Sequence, residues 1–268
     1  MRKIVLLFTL VVVMAGISGI ARAADTLDDV RKRGVLRAGV KDLTPGFALA
    51  DLNGEIKGYD IDIVRAIAQK LGVKLAIIPV KEMERISTLM ENKVDILAAT
   101  LTKTEERAKD IDFSYAYFVT AQKFLVRKGS VKSLADLKDK KIGTVAGTTS
   151  EINVRKALPE ATIVLFPDYV PAFLAVQRGE LFAITTDEAM LAAILAKTDK
   201  GYYEIPEFAI STEPYGLGIR KGNPSFLLVV NQTLLDMEEN GEANRIYDRW
   251  FGPKSPMPLK RAFTIAPK

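Results

Sequence analysis

The sequence predicts an α/β protein built on two mostly parallel sheets. Three observations carry that expectation. Apolar runs of strand length alternate with segments of helical periodicity, the alternation comes in two sets separated by an aromatic-rich stretch, and one strand with two helices closes the chain. A βαβ rhythm of this kind places helices on both faces of a parallel sheet.

The chain opens on Arg2 and Lys3, an apolar run from Ile4, and Ala21-Arg22-Ala23, the pattern of an export signal with its cleavage site. Residues 1–23 are therefore expected to be removed, an uncleaved membrane anchor being the competing reading. Thr26-Leu27-Asp28-Asp29 starts a short helix that Gly34 ends, and Val35 to Val40 reads as a strand. From Asp60 to Leu71, Ile61, Val64, Ile67, Ala68 and Leu71 recur at helical spacing, with Gly72 as the stop. A strand over Lys74 to Val80, a helix over Arg85 to Met90, a strand over Asp95 to Ala99 and a helix beginning near Thr104 follow. The aromatics of Phe113 to Phe118 divide the two sets. The second set predicts strands at Lys141 to Val145, Ile163 to Phe166 and Phe182 to Thr185. Helices at Thr149 to Ala157, Pro171 to Arg178 and Asp187 to Ala196 alternate with them. The chain closes on a strand over Tyr215 to Arg220 and helices over Pro224 to Glu239 and Glu242 to Trp250.

Composition narrows the function. Cysteine is absent, which excludes disulfides, a thiol nucleophile and thiolate metal ligands. It also excludes a lipid-modified cysteine after the signal, so a freely diffusing monomer in a periplasm is expected. Histidine is absent too, removing the commonest general base and the commonest metal ligand, and no metal or cofactor is expected. The formal charge of +5 includes Arg2, Lys3 and Arg22; without the signal 35 basic residues face 33 acidic ones, a net +2 that offers nucleic acid little.

In open α/β sheets, ligands sit beyond the carboxyl ends of strands. Lys41, Thr100 with Thr102, Gly147-Thr148-Thr149 and Asp187 all fall there. Each has a plainer reading when taken singly. Thr102 to Glu105 forms a capping box, Asp187 caps a helix, and Arg107 is a solvated helix residue. The glycine-threonine turn lacks the lysine of a P-loop, yet amides at a helix start suit a carboxylate. Together the residue types match a zwitterion: Arg107, Thr102 and Thr148 for an α-carboxylate, Asp187 for an α-ammonium.

Leu36 to Val40, Gly58-Tyr59-Asp60-Ile61-Asp62, Thr102 to Arg107 with Asp112-Phe113-Ser114, Gly147-Thr148-Thr149 and the stretch Gly179 to Asp187 give the chain a resemblance. In their order and spacing the sequence resembles the family 3 periplasmic solute-binding proteins of polar amino-acid ABC importers. Lys41, Arg85, Tyr169, Glu213 to Gly216 and Ile246 to Phe251 resemble the glutamate/aspartate-binding branch.

The resemblance implies a two-lobed, flytrap-like α/β fold of the type II periplasmic binding proteins, with a mostly parallel sheet in each lobe and two hinge crossings. Lobe one would comprise residues 24–119 and 215–268, and lobe two residues 120–214. It further implies ligand contacts from Lys41, Arg85, Thr100, Thr102, Arg107, Thr148, Tyr169 and Asp187, with Arg107 on the α-carboxylate and Asp187 on the ammonium. Lys41 and Arg85 would face an acidic side chain, although Glu82 is placed to neutralise Arg85. ABC importer membrane subunits are the implied partners. Another polar amino acid, glutamine or asparagine, is the alternative ligand. The fold also resembles cyclohexadienyl dehydratases, where Glu213 or Glu82 would be the candidate general acid.

Overall fold

Helices begin and end close to where their capping residues place them in the computed structural model, which describes residues 26–198 and 201–267. The expected signal at 1–23 lies outside these residues. Helix α1 (Thr26–Arg33) stops at Gly34, left-handed at φ 69°, whose N–H donates to the Val30 carbonyl at 2.9 Å. The Thr26 N–H and hydroxyl both donate to Asn223 Oδ1, tying the start of α1 to a distant turn. Helix α2 (Tyr59–Leu71) ends at Gly72, also left-handed. Helices α3 (Arg85–Met90), α4 (Thr149–Ala157), α5 (Tyr169–Gln177), α6 (Glu188–Ala196), α7 (Pro224–Glu239) and α8 (Glu242–Phe251) follow the expected order.

The helix expected from Thr104 is absent. Thr104 does cap a turn, its Oγ1 accepting from the Arg107 N–H at 3.2 Å, but only a short 3-10 turn over Arg107–Lys109 forms. Ile111, fully buried, is already committed to a strand, which leaves room for a single turn.

The strands are β1 (Val35–Val40), β2 (Leu43–Thr44), β3 (Ala48–Ala50), β4 (Ile56–Lys57), β5 (Lys74–Pro79), β6 (Ile96–Leu97), β7 (Ile111–Arg127), β8 (Lys141–Val145), β9 (Thr162–Phe166), β10 (Ala183–Asp187), β11 (Tyr203–Glu204) and β12 (Ser211–Arg220). The small sheet β2-β3-β4 was not legible as strands in the sequence. Both expected parallel sheets are present as flanks, and their hydrogen bonding is continuous from one to the other in the order β5-β1-β6-β12-β7-β10-β8-β9, with β11 added on β7. The reason is β7, whose 17 residues extend about 55 Å and begin among the aromatics that had looked like a divider. Paired antiparallel with β12, it joins two parallel flanks, β5-β1-β6 and β10-β8-β9.

Each flank is covered on both faces, giving a two-lobed α/β architecture. In the first, Leu36, Val64, Ile67 and Phe226 fill one side, and Leu89, Val94 and Leu97 the other. In the second, Phe124, Ile142 and Val154 oppose Leu125, Phe173, Ile184 and Leu191. The β7/β12 ladder shifts register twice, at Tyr215/Gly216 and Gly216/Gly218.

Gly58, just before α2, admits no side chain: a Cβ there would lie 1.9 Å from the Phe47 carbonyl oxygen. The Phe47 ring packs within 4.9 Å of Phe118 and 5.0 Å of Phe251, so the backbone cannot retreat. Gly58→Ala is expected to cost about 3 kcal/mol and lower the melting temperature by about 10 °C, measurable by scanning calorimetry.

Candidate functional site

The carboxyl ends of β1, β6, β8 and β10 converge, and all eight residues singled out in the sequence line one cavity between them. Lys41, Arg85, Thr100, Thr102 and Arg107 come from the first flank, Thr148, Tyr169 and Asp187 from the second. Glu82, Thr149, Ser150, Thr186 and Met190 complete the wall. The cavity is small and its wall is almost entirely polar or charged, which suits a polar solute rather than an apolar one.

Asp187, last residue of β10, precedes α6 but does not cap it. Its Oδ2 instead accepts from the buried Tyr215 hydroxyl of β12, while Oδ1 is buried without a hydrogen-bond partner among the described residues. Burial, reinforced by the nearby charge of Glu213, raises the carboxyl to about 7. An unsatisfied buried carboxylate oxygen costs free energy in the empty protein, and a cation entering the cavity relieves that cost.

Arg107 is not a solvated helix residue either. Its guanidinium makes one hydrogen bond among the described residues, Nη1 to the Thr102 carbonyl at 2.9 Å. Burial and the neighbouring Arg85 charge lower it to about 10, so it stays cationic at neutral pH. Across the cavity, α4 starts at Thr148, whose hydroxyl donates to the Val145 carbonyl at 2.7 Å and accepts from the Glu151 N–H at 3.2 Å. That hydroxyl has no proton left to offer. The N–H groups of Thr149 and Ser150 belong to the first helical turn, which no carbonyl of the helix itself can reach, and both residues line the cavity, so this helix start is a cradle suited to an anion. The Thr102 and Thr149 hydroxyls stand 3.5 Å apart, one from each flank.

Glu213, the sequence candidate for an acid catalyst, supports this cradle. It is buried on β12, where Oε2 accepts from the Thr149 hydroxyl at 2.8 Å and Oε1 from Asn153 Nδ2 at 2.8 Å. Thr100 has φ 46°, a strained conformation for a β-branched residue, held by Asp60 Oδ2 accepting its N–H at 3.2 Å. Tyr169 is buried, which raises its phenol above the ordinary range.

Arg85 is buried, and neither it nor Lys41 is an uncommitted charge. Glu82 stands between them, Oε1 at 2.5 Å from Arg85 Nη2 and Oε2 at 2.7 Å from Lys41 Nζ. Arg85 also donates through Nε to the Glu82 carbonyl and through Nη1 to the Ala99 carbonyl. Burial works to raise the Glu82 carboxyl, but Arg85 and Lys41 outweigh it and hold it at about 2.

Residues 36–253 match the family model of bacterial extracellular solute-binding proteins, family 3, and the chain belongs to that family. It is 37% identical over 232 residues to the ABC transporter glutamine-binding protein GlnH of Bacillus subtilis (strain 168), covering 84% of each chain. It is 32% identical to the glutamate/aspartate import solute-binding protein of Escherichia coli (strain K12), covering 94% of this chain and 89% of the relative. Among solved structures, an ancestral arginine-binding protein bound to glutamine superposes with a TM-score of 0.76 at 40% identity, over 82% of this chain and 99% of that one. Among the described residues no helix is long and apolar enough to cross a membrane.

Proposed function

We propose that this chain is the amino-acid-binding subunit of an ABC importer, acting in the periplasm after removal of residues 1–23. It closes around one free amino acid whose side chain ends in a carboxylate or a carboxamide. The observation that carries the reading is the buried, unpartnered Asp187 Oδ1 in the same small cavity as the Arg107 guanidinium. One is matched to an α-ammonium, the other, with the Thr149 and Ser150 amides, to an α-carboxylate. The side chain then extends toward Lys41, Glu82 and Arg85. Relatives named for glutamine and for glutamate/aspartate support the two forms of that end.

Lobes at 24–119 with 215–268 and at 120–214 turn about β7 near 118–123 and β12 near 211–216, a regularly paired stretch bounded on the first lobe's side by the register shifts at 215–218. A ligand touching both flanks favours the closed form, which the membrane subunits distinguish from the open one. The enzyme alternative loses support at its candidate acids: Glu82, held at about 2, keeps no proton at neutral pH, and Glu213 is engaged by Thr149 and Asn153.

Titration calorimetry with a panel of free amino acids tests the proposal, and micromolar affinity would correspond to about −8 kcal/mol. Absence of binding across the panel would sink it. A pH effect is expected as well. Asp187 binds an ammonium only when ionised, so affinity rises from pH 5 to pH 8 and then levels. At pH 6.5 roughly 0.8 proton is released per bound amino acid, measurable by calorimetry in buffers of different ionisation enthalpy.

A further inference from the structure

We infer that Glu82 makes the side-chain end of the cavity a reader of carboxamides, so that glutamine is taken in preference to glutamate. The inference rests on the amino-acid-binding reading above and concerns the three residues at its far end. Lys41 and Arg85 considered alone form a double cation that calls for a carboxylate. The structure places a third charge between them, with Glu82 bonded to Arg85 Nη2 at 2.5 Å and to Lys41 Nζ at 2.7 Å. All three side chains are largely buried, with exposures of 12% for Lys41, 16% for Glu82 and 4% for Arg85, so the charges act with little screening.

The donor and acceptor inventory decides between the two ligands. Arg85 gives Nε to the Glu82 carbonyl, Nη1 to the Ala99 and Thr100 carbonyls and Nη2 to the Glu82 carboxylate, which leaves it one N–H at most. Lys41 keeps two N–H donors beyond its bond to Glu82, and each Glu82 oxygen keeps a second lone pair. The end wall therefore offers donors and acceptors side by side. A carboxamide satisfies both, its oxygen accepting from Lys41 and its NH₂ donating to Glu82. A carboxylate has nothing to donate and meets the Glu82 charge head-on, so attraction to Lys41 is offset by repulsion while the cost of leaving water remains. A wall that needs a donor from its ligand rejects an analogue lacking one.

Calorimetry of the wild type and of Glu82→Gln with glutamine, glutamate, asparagine and aspartate tests this. The wild type is expected to bind glutamine at least tenfold more tightly than glutamate. Glu82→Gln, which releases both cations, is expected to move that ratio tenfold or more toward the acid. A wild type that prefers glutamate, or a ratio left within twofold by the substitution, overturns the inference. A second measurement needs no variant. A glutamate side chain confined with the ionised Glu82, among Lys41, Arg85, Arg107, Tyr169 and Asp187, is expected to bind protonated. Glutamate binding then takes up about one proton more than glutamine binding at pH 5.5, the common Asp187 contribution cancelling. Equal proton counts overturn the inference. Failure of the wild type to bind any of the four overturns the amino-acid reading and this inference with it, whereas binding with acid preference overturns this inference alone.

Discussion

Replacing Arg107 by alanine is expected to weaken binding of every amino acid in the panel about a thousandfold, without changing their rank. The magnitude follows from truncating one partner of a buried, hydrogen-bonded charge pair, which costs about 2–5 kcal/mol because the other charge is left in the cavity. The uniformity follows from the role proposed for it: with the α4 amides, Arg107 would hold the α-carboxylate that every amino acid carries, although Arg85 and Glu82 also act on its charge. Arg107→Lys keeps the charge but loses the planar fork, and is expected to recover only part of the affinity. Calorimetry reads both, and an alanine variant that discriminates among side chains would place Arg107 elsewhere in the mechanism.

Asp187→Asn is expected to move binding and stability in opposite directions. Binding falls at least a hundredfold, because the ammonium loses its charged acceptor and meets an amide that can present N–H to it. The ligand-free protein, by contrast, becomes more stable at pH 8. Burial raises Asp187 to about 7 in the folded chain, whereas an unfolded aspartate titrates near 4. A carboxyl whose folded pKa is the higher one favours the fold while protonated. Stability is therefore lost as pH climbs from about 4 through about 7, by an amount on the order of 3 kcal/mol. The amide has no such loss. Melting curves at pH 4 and pH 8 should show wild type and variant close together at the lower pH and the variant several degrees higher at the upper. A wild type whose stability is flat over that range would show that the Asp187 charge is compensated in the empty protein.

Much of the candidate site was legible because its residues sit where local chemistry announces them. Thr148 and Asp187 follow strands and precede helices, so strand ends and helix starts, both readable from periodicity and capping, locate them. What could not be read was which neighbours each side chain chooses. Asp187 bonds to Tyr215 rather than capping α6, and Thr148 spends its hydroxyl on its own turn. Glu82 was visible as a neutralising neighbour of Arg85, but its bond to Lys41 spans 41 positions and no spacing rule reports it. Ser150, Thr186 and Met190 reach the cavity wall with no motif to mark them.

At the level of the fold, short-range periodicity located the helices of both flanks. It failed for β7, because a strand that serves two cores is buried on both faces in places and open on neither in a regular alternation. Thr104 shows the converse case: a correct capping signal overruled by the needs of the strand that follows it.

The shared ladder of β7 and β12 has a practical corollary for anyone wishing to study the halves separately. Both connections between them are rungs of a sheet rather than linkers, with Phe118, Gln122 and Tyr215 almost inaccessible to solvent. Strand pairing holds the backbone of both connections extended and hydrogen-bonded, which disfavours cleavage there, so nicking belongs at outer loops instead. A gene cut at residue 119 or 215 would sever strands on which both cores depend, so excision yields unfolded fragments, not two miniature proteins.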